Sequence, residues 1–131
     1  MKIEKLYQNA PTKTDKVFVL YLPYNEIHEL GLMYLNYEVI SNGYKTIYLG
    51  ESVPMESLKD LKKYFDNITF LCYMTVEPQK EEVMNYIQNL EKEVLDNSSE
   101  LWVIGRMTAY INYNKPYLKV FDSIESLAEN L

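Results

Sequence analysis

The sequence has only one cysteine and one histidine among its 131 residues. A single cysteine, Cys72, excludes an internal disulfide and favours a reducing compartment. The lone histidine, His28, has no partnering Cys/His cluster, which excludes a zinc site. No apolar run approaches the roughly 18 residues that a membrane span needs, and the N-terminus lacks the features of a secretory signal. We therefore expect a cytoplasmic protein with no membrane partner.

Basic charge is also scarce, with 13 Lys and Arg residues against 19 Asp and Glu residues and a net charge of -6. The charges are interspersed, without the basic face typical of nucleic-acid binding, so we expect no DNA or RNA binding by this chain alone. No GxGxxG or phosphate-binding loop follows a predicted strand, which argues against a nucleotide ligand. Because no nucleophile, base and orienting group occur together, we expect no catalysis by this chain.

Apolar residues make up 47% of the chain, enough for the core of one domain. Short apolar runs alternate with segments that are apolar at every third or fourth residue. Strands are predicted at residues 17–23, 46–49, 68–74, 101–104 and 118–121. Helices are predicted at 28–44, 55–65 and 77–95, weakly within 105–115, and after a cap at Asp122 or Ser123. This alternation predicts an α/β, flavodoxin-like (Rossmann-like) three-layer fold with a five-stranded parallel sheet in the order 2-1-3-4-5.

The first fourteen residues precede the predicted strands. Ile3 and Leu6 fit the end of a helix, and residues 9–14 have the composition of a linker. We expect residues 1–14 to be the helical end and linker of a preceding domain, in a chain cut from a longer protein. Residues 15–131 are expected to form the α/β domain.

The loops that follow the first four strands are expected to meet at the carboxyl edge of the sheet, where such folds bind ligands. The first of these loops contains Glu26 and His28, and Gly31 follows in the predicted helix. A nearby carboxylate can accept the second N–H of a metal-bound imidazole, although Glu29 is close enough to replace Glu26 in this role. Gly31 lets the first helical turn approach a ligand closely. His28 can thus supply one axial ligand to a metal already held by a macrocycle, or it is a surface residue without a role.

Residues 26–31, EIHELG, resemble the Asp/Glu-x-His-x-x-Gly motif of cobalamin-binding domains. Residues 48–54, YLGESVP, are similar to the loop of that family that touches the corrin ring. Over residues 23–54 the resemblance is greatest to the C-terminal domain of MerR-type cobalamin-dependent transcriptional regulators. It implies a cobalamin cofactor with His28 as the lower axial ligand of cobalt. It also implies DNA contact only through a separate N-terminal domain, and a homo-oligomer whose equilibrium the ligand shifts.

The resemblance also implies a wider cofactor-binding set, which consists of Glu26, His28, Gly31, Gly50, Ser52, Val53, Cys72, Tyr73, Thr75, Ile104 and Gly105. This sequence departs from the family at two places that line the groove for the nucleotide tail. The serine of the family's Ser-x-Leu motif is replaced by Cys72 or Tyr73, depending on the alignment, and one glycine of its Gly-Gly pair is Ile104. These changes predict weak or incomplete cobalamin uptake. Cys72 and Ile104 are equally well explained as core residues.

Three functions remain open at this stage. The chain is a cobalamin-sensing regulatory domain, a corrinoid-carrying domain of a methyltransferase or mutase, or a ligand-free interaction module, because a fold does not by itself determine function. A DNA-binding domain encoded upstream would favour the first. A catalytic barrel upstream would favour the second, and a protein that stays colourless with cobalamin would favour the third.

Overall fold

The structure, a computed structural model, describes residues 13–112 and 114–131. Its strands are β1 (Lys13–Pro23), β2 (Tyr44–Val53), β3 (Ile68–Tyr73), β4 (Glu100–Ile104) and β5 (Leu118–Phe121). Its helices are α1 (Leu30–Ser41), α2 (Met55–Leu61), α3 (Val83–Glu93), a 3₁₀ helix (Arg106–Tyr110) and α4 (Ile124–Ala128). Within these residues, no helix combines the length and the apolar character needed to cross a membrane.

The strands pair in parallel in the order β2-β1-β3-β4-β5, which confirms the predicted fold class and strand order. In β3 every residue from Ile68 to Cys72 is buried, as expected for a parallel strand covered on both faces. The order reverses between β1 and β3, whose pairing ends with Tyr21 opposite Cys72. The loops after these two strands therefore lie side by side at the carboxyl edge, where open α/β sheets bind ligands.

Helices cover both faces of the sheet, because successive side chains of a strand point to opposite faces. Phe18, Leu20 and Leu22 of β1 belong to the cluster that includes Leu32, Leu35 and Val39 of α1 and Leu127 of α4. Val17, Val19 and Tyr21 belong to the other cluster, with Leu58 of α2 and Val83, Ile87 and Leu90 of α3. We name the first cluster the α1 side and the second cluster the α3 side. Together they make up the core of a three-layer domain.

Several elements differ in extent from the sequence prediction. α1 begins at Leu30 rather than at residue 28, which leaves His28 in the preceding loop. α3 begins at Val83 rather than at residue 77, and the N–H of Glu77 donates a hydrogen bond to Glu26. The weakly predicted helix in 105–115 is only the 3₁₀ helix, whereas Ser123 caps α4 as predicted, its Oγ accepting a hydrogen bond from the N–H of Ser126.

The predicted N-terminal helix lies outside the described residues, as do residues 9–12 of the predicted linker. The linker prediction was wrong for its last two residues, because β1 already begins at Lys13. Lys13 pairs with Tyr44 of β2, and the register shifts before the next pair, Val17 with Lys45. This additional strand pairing was not visible in the polar sequence of the segment.

Candidate functional site

The side chain of Glu26 is buried in the loop between β1 and α1, with 1% of its surface exposed. Its Oε1 accepts hydrogen bonds from three consecutive backbone N–H groups, those of Thr75, Val76 and Glu77, at 2.8, 2.5 and 3.1 Å. These groups belong to the loop after β3. The Glu26 carboxylate therefore joins the two central loops of the carboxyl edge, at the predicted switch point.

The other carboxylate oxygen of Glu26 fixes the loop that carries His28. Oε2 accepts hydrogen bonds from the N–H groups of Ile27 and His28 at 3.0 and 3.2 Å, and it lies 2.8 Å from Nδ1 of the His28 ring. The imidazole itself stays accessible, with 59% of the side chain exposed. The structure thus holds an exposed ring through a buried carboxylate, which is the pairing predicted from the two-residue spacing.

The ionisation of Glu26 determines which nitrogen of His28 carries a proton. Burial on its own would raise the pKa of Glu26, but hydrogen bonds from Val76 N–H, the His28 ring, Glu77 N–H and His28 N–H outweigh it and lower the pKa to about 2. An ionised carboxylate can only accept hydrogen bonds, so Nδ1 must be the protonated nitrogen. In the neutral ring, Nε2 then carries the lone pair that a metal would need.

Acid is expected to destabilise the ligand-free chain between about pH 4.5 and pH 2. The pKa of Glu26 falls from 4.5 to about 2 on folding, so its stabilising effect is complete above pH 4.5 and is lost as the pH drops towards 2. A tenfold change in the proton affinity of a carboxylate corresponds to about 1.4 kcal/mol, and we expect the stabilisation by Glu26 to have fallen by roughly 2 kcal/mol at pH 3. Urea unfolding at pH 7, 4 and 3 measures this effect.

Asp96 is a second carboxylate that contributes to the loss of stability in acid. A hydrogen bond from Lys62 outweighs its partial burial and lowers its pKa to about 2. We expect Glu26→Gln and Asp96→Asn each to remove a separate part of the acid-dependent loss. An unfolding free energy that falls equally in the wild type and Glu26→Gln would show that Glu26 is not held as described.

A second acid, Glu29, is engaged elsewhere. Its Oε2 accepts a hydrogen bond from the hydroxyl of Tyr48 in β2 at 2.5 Å. Gly50, with φ of +83°, lies beside this pair, and a Cβ at its position would be 3.7 Å from Oε2 of Glu29. In this arrangement Glu26, not Glu29, holds the His28 ring.

Ser52, which the sequence placed in a loop, lies near the end of β2 and attaches that strand to the same group. Its Oγ accepts a hydrogen bond from the N–H of Asn25 at 3.1 Å, and its own N–H donates to the carbonyl of Glu26 at 3.0 Å. The end of β2 and the loops after β1 and β3 therefore meet at the carboxyl edge of the sheet. The contribution of Ser52 in the ligand-free chain is to hold the backbone on either side of Glu26.

A cleft of about 710 Å³ opens at the carboxyl ends of β3, β4 and β5. Three predicted site residues line it, namely Tyr73, Ile104 and Gly105. The rest of the lining consists of Arg106, Thr108, Ala109, Val120, Phe121, Asp122, Ser123 and Ser126. Its size lies within the range of small-molecule sites. The sequence analysis placed none of the lining from β5, α4 and the turn between them at the site.

Gly105 is required where β4 leaves the sheet. Its φ is +116°, and a Cβ there would be 2.3 Å from the carbonyl oxygen of Met74. That carbonyl accepts a hydrogen bond from the N–H of Met107, and the N–H of Met74 donates to the carbonyl of Ile104. Two backbone segments thus cross in contact at the floor of this edge, and any side chain at position 105 would separate them.

Val53 and Cys72 are not brought to this group. Both are buried on the α3 side of the core, in the same cluster as Tyr21. Burial raises the pKa of the Cys72 thiol to about 12, so it is neutral. Tyr73, the next residue, packs instead on the α1 side. Of the two alternatives for the serine position of the tail groove, Tyr73 is therefore the one that lines the cleft.

Exposed apolar side chains are found in the segment around His28 and in the loop after β3, and the sequence analysis did not identify them as part of the site. They are Tyr24, Ile27 and Leu30 from its own loop and helix, and Val76 from the loop after β3. In the described part of the chain, no group of three or more His, Cys, Asp or Glu side chains is placed to hold a metal ion. The arrangement can therefore offer one nitrogen ligand and an apolar surface, but no complete metal site.

Two solved structures share this fold. One is a novel cobalamin-binding protein from Desulfitobacterium hafniense DCB-2, with a TM-score of 0.70 and 13% identity, covering 88% of this chain and 57% of that one. The other is a monomethylamine corrinoid protein from Methanosarcina barkeri, with a TM-score of 0.71 and 15% identity, covering 98% and 60%. This chain spans less than two thirds of the length of either.

No family model matches the sequence, and no curated protein matches it. At 13% and 15% identity, the likeness to the two structures establishes the fold, a five-stranded parallel α/β domain.

Proposed function

We propose that this domain binds a corrinoid, with His28 as the lower axial ligand of its cobalt. The observation that carries the proposal is the 2.8 Å contact between Nδ1 of His28 and the buried, ionised carboxylate of Glu26. Carboxylate partners of this kind fix the tautomer of metal-bound histidines and raise their basicity. The two similar solved structures support the proposal, because one is named as a cobalamin-binding protein and the other as a corrinoid protein.

The residues around His28 fit a flat macrocycle. A corrin already supplies four nitrogen ligands to cobalt, so the protein needs to add only one ligand, and a single imidazole is enough. Tyr24, Ile27, Leu30 and Val76 offer exposed apolar surface for the ring. When bound, the cobalt supplies ligand exchange and a bond to carbon, which no side chain can provide. The contribution of the chain is to engage Nδ1 of His28 through Glu26, so that Nε2 is the nitrogen offered to a metal.

Titration with a corrinoid, followed by visible absorption, tests this proposal. We expect the spectrum of a base-off cobalt ligated by histidine, in which the nucleotide base of the corrinoid is displaced. A spectrum identical to that of the free corrinoid at protein concentrations up to about 1 mM would contradict the proposal and favour a ligand-free module.

Two roles are compatible with such a site. We propose a sensor domain of a MerR-type regulator first, because residues 23–54 resemble that group most. The carrier role in a methyltransferase or mutase is favoured by the likeness to a monomethylamine corrinoid protein. In either role the chain binds the cofactor and a partner domain acts on it. The domain encoded beside this one, DNA-binding or catalytic, distinguishes the two, and the homo-oligomer and the cytoplasmic location stay predictions.

The chain is expected to bind no DNA by itself. Its net charge is -6, and affinity for duplex DNA depends mainly on neutralising phosphates. A gel-shift assay at low salt is the most demanding measurement, because phosphate contacts are strongest there, and a known DNA-binding domain serves as its positive control. A complex that disappears as salt is added would contradict this prediction.

A further inference from the structure

The ring of Tyr73 occupies the space beside Gly31. A Cβ at Gly31 would lie 2.7 Å from Cε2, 2.8 Å from Cζ and 3.1 Å from the hydroxyl oxygen of Tyr73. Real Cβ atoms do not approach other atoms so closely, so the absence of a side chain at Gly31 is what admits the ring. The opening that the sequence motif leaves beside α1 is therefore filled by the chain's own side chain.

Tyr73 lies against Gly31 and also lines the cleft. It ends β3, where it pairs with Ile104 of β4, and both residues line the cleft. On its other side the ring contacts Gly31, three residues after His28. A group that runs from a ligand on His28 into the cleft therefore meets the ring of Tyr73 at this point.

This position matters because of the chemistry of complete corrinoids. When a histidine takes the lower position on cobalt, the nucleotide base of the corrinoid is displaced, and it must find another place together with its ribose phosphate. The cleft has a suitable size, but Tyr73 must move before a tail attached below the ring can enter it. A corrinoid that lacks the nucleotide can bind without any movement of Tyr73.

We propose that Tyr73 makes this domain selective for incomplete corrinoids, those without a nucleotide tail. The inference rests on the proposed function, since it assumes that His28 binds cobalt. Tyr73 is half-buried and packs against the α1 side of the core. Displacing a packed side chain from a dense interior lowers affinity by about tenfold to a hundredfold, and only complete corrinoids incur this loss.

The experiment compares cobinamide, which has no nucleotide, with aquacobalamin. Dissociation constants for both are measured by visible absorption with the wild-type chain, Tyr73→Ala and Tyr73→Val. We expect the wild type to bind cobinamide more tightly, and both variants to reduce the ratio of the two constants by at least about tenfold. The change in the ratio is the informative quantity, because the base of cobalamin must leave cobalt in every variant.

Three further variants sharpen the comparison. Tyr73→Phe keeps the ring and is expected to keep the ratio, which separates the volume of the ring from its hydroxyl. Ile104→Gly enlarges the same cleft beside Tyr73 and is expected to favour aquacobalamin. Tyr64→Ala removes an exposed tyrosine at the opposite edge of the sheet and is expected to change neither constant.

The outcomes separate this inference from the proposed function. If neither corrinoid binds the wild-type chain, the proposed function fails and the selectivity with it. If both bind and the ratio is the same in the wild type, Tyr73→Ala and Tyr73→Val, the cofactor site stands and the role of Tyr73 is refuted. Urea unfolding of the ligand-free variants establishes whether they are folded. If Tyr73→Ala does not fold, the comparison is made with Tyr73→Val, because valine favours strands.

Discussion

Replacing His28 with alanine is expected to abolish the histidine-ligated corrinoid spectrum while leaving the ligand-free fold intact. The chain has no second histidine to take its place on cobalt. The side chain is 59% exposed, and the backbone N–H at position 28 still donates to Glu26 in the variant. We therefore expect the free energy of unfolding to change by about 1 kcal/mol or less. Visible absorption and urea unfolding provide the two measurements.

His28→Gln is the matched variant for this experiment. Its amide can still donate a hydrogen bond to Glu26, but it offers no imidazole nitrogen to a metal. It should therefore behave like His28→Ala in the spectrum. If either variant retained the wild-type spectrum, axial ligation by His28 would be ruled out, even if the corrinoid remained bound.

Glu26→Gln is expected to weaken corrinoid ligation by about tenfold to a hundredfold, the range for carboxylates that orient metal-bound histidines. The amide is isosteric, but its N–H₂ group cannot accept the hydrogen bonds that Oε2 now receives from Ile27 and His28. Some of the buried donors around position 26 are then left unpaired, so we also expect the ligand-free chain to lose about 1–3 kcal/mol of stability. Corrinoid titration and urea unfolding at pH 7 measure both effects.

Glu29→Gln is the control, because Glu29 has the same side chain and lies three residues away. Its carboxylate bonds to Tyr48 and does not face the His28 ring. We expect it to change ligation less than Glu26→Gln does. An effect of Glu26→Gln below about twofold, or an equal effect of the two variants, would mean that the carboxylate does not orient the imidazole.

The buried strands and the Glu26–His28 pair could be predicted from the sequence for the same reason, which is that each depends on local pattern. The runs VFVLYLP and ITFLCY are apolar over nearly their whole length, as strands buried on both faces must be. Glu26 and His28 lie two residues apart in one loop, so their contact needs no knowledge of the rest of the chain. Parallel strands then bring the following loops to one edge.

The predicted placement of Val53 and Cys72 at the site shows where such reasoning fails. Neighbouring residues in a strand point to opposite faces of the sheet. An alignment that is uncertain by one residue therefore cannot tell which side chain faces the cleft and which faces the core. Cys72 and Tyr73 were equally good matches in sequence, and only the pairing of Tyr73 with Ile104 places Tyr73 at the cleft. The donors at Thr75, Val76 and Glu77 could not be found either, because backbone N–H groups carry no residue signature.

The hydrogen bonds to Glu26 also bear on how the domain assembles. Three of its donors come from residues 49, 50 and 51 positions further along the chain. A peptide with only the six-residue motif would lack them, and its imidazole would rotate freely in water. Contacts of such long range form only after the intervening chain has been closed into a loop, which slows folding. During synthesis on the ribosome, the motif therefore emerges well before it can hold its histidine, and β3 must follow before the ring is fixed.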